Sequence, residues 1–121
     1  MKNDIKLEKA EKLAVDIVML HRYLVNDKRE FTISNQILRS GTSIAANIAE
    51  SQYSESVSDF IHKLAISQKE ANETMLWLRL LYKTSTIEES KFRPLYEQTE
   101  EILKILTSTI RTLKSRTKQS P

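Results

Sequence analysis

The chain has no cysteine, one glycine and two prolines among its 121 residues. Without cysteine there is no disulfide framework, no thiolate metal site and no cysteine nucleophile. That usage fits a reducing compartment, and a cytoplasmic location is expected. Sheets need turns, and turns draw on glycine and proline, so their scarcity points to long helices with few connections. One glycine also cannot build a phosphate-cradling loop. No stretch approaches the roughly 20 uncharged residues of a membrane span. The opening residues Met1-Lys2-Asn3-Asp4-Ile5-Lys6 have no apolar signal core, so no membrane partner is expected. Acid is missing from one end. After Glu101 there is no Asp or Glu, while Lys104, Arg111, Lys114, Arg116 and Lys118 follow.

What is present is ordinary for a soluble protein: 40% apolar residues, 29% charged, and a net charge of +3. The length suits one domain, 1–121, with a real hydrophobic core. Apolar periodicity divides it into four helices, at about 4–26, 34–53, 56–83 and 88–116. In the first, Ala10, Leu13, Ile17, Leu20 and Leu24 form a core stripe. The second starts at Ser34 as N-cap, with Ile33, Ile37, Gly41, Ile44 and Ile48 on one side. The third carries a strict four-three seam from Val57 through Leu64, Ala71 and Leu78 to Tyr82. The fourth, announced by Thr86, Glu88 and Glu89, is expected to line the core with Phe92, Leu95, Tyr96, Thr99, Ile102, Leu103, Leu106, Ile110 and Leu113. Pro94 lies early enough to be tolerated. Long amphipathic helices with short connections make an all-α, antiparallel up-down four-helix bundle.

Two features exceed a simple bundle. Leu76, Trp77 and Leu80 lie off the seam of the third helix, which makes them a candidate oligomer interface; the competing reading is that another helix of the chain wraps that side. The run Arg39-Ser40-Gly41-Thr42-Ser43-Ile44-Ala45-Ala46-Asn47-Ile48-Ala49-Glu50 has only Arg39 and Glu50 as charged residues, which suggests burial on more than one side. On it Arg39, Ser43, Asn47 and Glu50 share a stripe, matched by Glu70 on the third helix. The expectation is a buried, paired polar network serving the fold.

Chemistry-bearing patterns are scarce. A carboxylate-bridged metal site in a bundle needs Glu-x-x-His on two helices. His21 and His62 do not supply it, and Asp59-x-x-His62 is a single imperfect copy. No serine has a base and an orienter at a recognisable spacing. No metal, cofactor, small-molecule substrate or enzymatic activity is expected. A helix-turn-helix over residues 37–48, turning at Gly41, is the rival reading. Its recognition helix would offer Thr42, Ser43, Asn47 and Gln52 but no cation for phosphate.

The pattern Gln36-x-x-Arg39-x-x-x-Ser43-Ile44-x-x-Asn47-Ile48-Ala49-Glu50, followed by Asp59-Phe60 and Glu70-Ala71-Asn72-Glu73, resembles the 23S rRNA intervening-sequence protein family. Ser51 stands where that family usually has glycine, and Ala45 and Ala46 where it often has proline. The resemblance implies a four-helix bundle, a homopentamer, and a non-catalytic role of unknown biology associated with nucleic acid. From the residues themselves, the acid-free end with Lys104, Arg111, Lys114, Arg116 and Lys118 is the expected contact for RNA or DNA. The alternative is an interaction scaffold or accessory subunit whose basic tail only complements the helix dipole.

Overall fold

The structure is a computed structural model that describes residues 4–119. Four helices account for nearly all of it: α1 (Ile5–Asn26), α2 (Thr32–Ser51), α3 (Val57–Lys83) and α4 (Glu89–Gln119). Each start has a chemical cause. The Asp4 carboxylate accepts the N–H groups of Lys6 at 3.0 Å and Leu7 at 3.3 Å, which caps α1. Ser56 Oγ accepts the Asp59 N–H at 3.0 Å and caps α3.

Helix α2 lies two residues earlier than expected at both ends. The cap is Glu30, not Ser34. Its carboxylate accepts from the N–H groups of Thr32, Ile33 and Ser34 at 3.2, 3.0 and 2.7 Å. Ser34 is instead buried inside the first turn, donating to the Glu30 carbonyl. At the other end the N–H groups of Gln52 and Tyr53 reach only three residues back, to Ala49 and Glu50, and that tightening ends the helix. Helix α4 runs past the expected residue 116 because nothing in the segment breaks it. Pro94 is its sixth residue and is exposed, so its ring meets solvent.

Paired residues across each seam give the direction of the helices. Between α1 and α2, Gln52 reaches Asp4 and His21 reaches Asn35. Between α2 and α3, Ser67 reaches Ile44 and Thr74 reaches Ser40. Between α3 and α4, Gln68 meets Thr107 and Arg79 meets Tyr96. Between α4 and α1, Lys9 pairs with Glu101 and Gln98 with Asp16. In every case one number rises as the other falls, so all four neighbouring pairs are antiparallel. Among the described residues the diagonal pairs do not meet, which is the arrangement of an up-down bundle.

One core runs through the molecule, with residues from all four helices. The α1 stripe is buried as its spacing requires: Ala10, Leu13, Ile17, Leu20 and Leu24. The ends of the α3 seam are not, for Val57 and Tyr82 stand exposed. Gly41 sits against Ile17. A Cβ there would lie 2.9 Å from both Ile17 Cγ atoms, so glycine is what lets α1 and α2 approach. Helix α2 continues straight through Gly41, which removes the turn a helix-turn-helix needs. On its α3 side the contacts are small hydroxyls. Ser67 Oγ donates to the Ile44 carbonyl at 2.9 Å, and Thr74 Oγ1 to Ser40 Oγ at 2.8 Å, all buried. The low charge of α2 therefore has an intramolecular cause: α1 covers one flank and α3 another. Among the described residues no helix is long and apolar enough to cross a membrane.

Candidate nucleic-acid interface

The basic end of the chain forms the last turns of α4. Lys104, Arg111, Lys114 and Arg116 are all exposed. Among the described residues none of the four takes part in an ion pair, whereas Lys9, Lys12, Arg39 and Arg93 are each paired with carboxylates. At about 100° per residue, Lys104, Arg111 and Lys114 fall within one sector of the helix, and Arg116 falls on a different side. The expected five-residue patch is thus three residues with Arg116 apart from them. The side chain of Lys118 lies outside the described residues.

The register of the bundle places this segment. The pairs Lys9–Glu101 and Asp16–Gln98 run α4 alongside α1. Carried forward, α4 beyond Ile110 passes the first described turn of α1 and packs on α3 alone. A groove opens there. The part nearer the middle of the bundle, about 550 Å³, is lined by Gln68, Thr107, Ile110, Arg111, Lys114 and Ser115. Its outer part, about 460 Å³, continues past Lys114 to Val57, Ser58, Ile61 and Thr117. Among the described residues no acidic side chain lines either part. The signal in the sequence was the absence of acid after Glu101. The α3 wall of the groove had none, because its residues are polar and apolar types common on any helix.

The polar network is smaller than expected and differently composed. Arg39 reaches from α2 to two carboxylates of α3, Glu70 at 3.0 Å and Glu73 at 2.5 Å. The Glu73 hydrogen bond, with burial opposing and the Glu70 charge assisting, holds the Arg39 guanidinium above its usual pKa. The Glu70 side chain is 12% exposed and Arg39 51%, so one partner is inside and the other at the surface. Ser43 and Asn47 do not join them. Ser43 Oγ donates to the Arg39 carbonyl and Asn47 Nδ2 to the Ser43 carbonyl, both within α2. Glu50 is exposed and forms no ion pair among the described residues, which corrects its expected burial. Its stripe turns toward solvent one helical turn beyond Asn47. Glu73 was missed as a member. The i, i+3 spacing of Glu70 and Glu73 puts both on one face and was the available clue.

Leu76, Trp77 and Leu80 are distributed across one edge of α3. Leu76 is 40% exposed, Leu80 is partly buried, and Trp77 packs against the core from the side. The Trp77 Nε1 is buried and has no hydrogen-bond partner among the described residues. His62 is exposed, and Asp59 is engaged with the Glu55 N–H.

Comparison with known proteins completes this picture. A family model described as 23S rRNA-intervening sequence protein matches residues 2–108. No curated protein matches the chain. Among solved structures it is similar to a protein of unknown function from the S23 ribosomal protein family of Bacteroides thetaiotaomicron. The two are 47% identical, with a TM-score of 0.87, over 88% of this chain and 98% of the other.

Proposed function

Since the chain belongs to the 23S rRNA-intervening sequence protein family, we propose that it is a non-catalytic homo-oligomer that holds RNA or DNA by its phosphates. One observation carries this reading: the exposed cations Lys104, Arg111 and Lys114 share a sector of α4, without ion pairs among the described residues. Phosphate attraction needs no sequence code and supplies most non-specific affinity. In a ring of copies, with five as the number the family resemblance implies, a modest patch would be repeated into a large field. The family match ends at residue 108, so Arg111, Lys114 and Arg116 lie beyond it. Their proposed role therefore belongs to this chain's own residues.

A filter-binding series against salt tests the proposal. Affinity for rRNA fragments is expected to fall steeply between about 50 and 200 mM salt. Changing Lys104, Arg111, Lys114 and Arg116 together to Gln should abolish binding while the oligomer persists. No binding at low salt would overturn it. A scaffold without nucleic acid is the second reading. It is favoured by Leu76, which is exposed on α3 away from the basic end.

A further inference from the structure

We infer that the groove between the start of α3 and the end of α4 takes a single strand of nucleic acid rather than a duplex, an inference that rests on the phosphate-binding reading above. The groove has two chemistries. Its rim carries the cations Arg111 and Lys114, and its lining is free of acid among the described residues, which suits a polyanion. Its floor is apolar, from Val57, Ile61 and Ile110. Val57 is 55% exposed although it continues the α3 seam, so that floor is open to an occupant. A duplex keeps its base faces stacked inside and shows only base edges in its grooves, so laid on the rim it would leave the floor in water. A single strand exposes base faces that can cover such a floor while its phosphates stay on the rim; among the described residues no aromatic side chain lines the groove, so the contact is aliphatic and not aromatic stacking.

The groove also offers polar groups for base edges. Gln68 Nε2 donates to Thr107 Oγ1 at 2.9 Å, which fixes the amide and leaves its carbonyl oxygen as an acceptor. Ser58 adds a hydroxyl at the outer part. Charge complementarity and an open apolar floor thus select the same occupant.

Fluorescence polarisation with a labelled oligouridine of roughly 12 nucleotides and a duplex of equal length tests this. The strand is expected to bind at least about tenfold more tightly than the duplex. Val57→Ser, an exposed and uncharged change, should weaken the strand about threefold and leave the duplex unchanged. Ser58→Glu places a carboxylate in the groove at a helix N-terminus, where the fold tolerates it. It should weaken the strand about tenfold, while Ser58→Gln should not. Equal or tighter duplex binding would overturn the inference, as would polyglutamate competing as well as the strand. So would loss of binding in Arg111→Gln/Lys114→Gln with Val57→Ser and Ser58→Glu both silent. In that last case the outer face of α4 is the contact and the phosphate-binding reading stands. If neither nucleic acid binds, both fall.

Discussion

At the scale of single residues the consequential position is Arg39. It bridges a nearly buried carboxylate, Glu70, and a more exposed one, Glu73. Arg39→Ala leaves Glu70 desolvated and without its cation, and is expected to cost about 2–3 kcal/mol. Glu73→Ala leaves the Arg39–Glu70 pair intact and should cost about 1 kcal/mol or less. Glu50→Ala, at an exposed residue, should fall within about 0.5 kcal/mol of the parent. Urea titrations of the three variants give the ranking, and a large loss at Glu50 would refute it. Gly41 sets a second residue-scale test. Gly41→Ala gains about 1 kcal/mol of helix propensity but drives a methyl into Ile17. Overpacking costs of about 1–3 kcal/mol should win. Ile17→Ala in the same chain removes both clashing Cγ atoms, so the double variant should be more stable than the sum of the single changes allows.

At the scale of elements, two helix ends are closed by groups that residue type does not announce. Glu30 closes the start of α2 by accepting three N–H groups. The end of α3 is closed by the Ser85 N–H to the Tyr82 carbonyl at 3.0 Å and the Thr86 N–H to the Leu81 carbonyl at 2.9 Å. That hydrogen-bond pair requires a left-handed residue between them, and Ser85 occupies it at φ 60°. Serine pays about 1–2 kcal/mol there that glycine does not. Ser85→Gly is therefore expected to stabilise by about 0.5–1 kcal/mol after the added entropy of the unfolded chain. A rise of a few degrees in melting temperature checks it, and a fall would mean the serine hydroxyl contributes a contact that the backbone geometry hides.

At the scale of the whole molecule, the open question is what covers the α3 edge. Leu76 is exposed there, and Leu80 beside it is only partly buried. A second copy is the proposed cover, and light scattering at micromolar concentration should give a mass above that of a monomer. Leu76→Glu should then lower the mass without unfolding the chain, because the changed residue is at the surface. A monomeric parent protein would refute the assembly. The tight α1–α2 and α2–α3 seams mean that α2 is already flanked twice within one chain. Its low charge therefore carries no weight for assembly, and the case rests on the α3 edge.

The helices and their buried faces were legible in the sequence because helical periodicity is a local property. Ala10, Leu13, Ile17, Leu20 and Leu24 repeat at the spacing of one face, and any solution that hides that face buries all five. Near-absence of glycine and proline settled the number of connections in the same local way. The Arg39 cluster was only half legible. Residues three or four apart mark a stripe, but the neighbouring helix decides which members of the stripe are covered; Glu50 lies one turn too far along, and Glu73 lies within reach. The cap of α2 was misplaced because Glu30 acts through its side chain across an irregular turn, where residue type alone does not rank the options. The groove beside Arg111 and Lys114 was not legible at all. It exists because α3 and α4 run on together where α1 gives out, a difference in helix length and register that only packing determines.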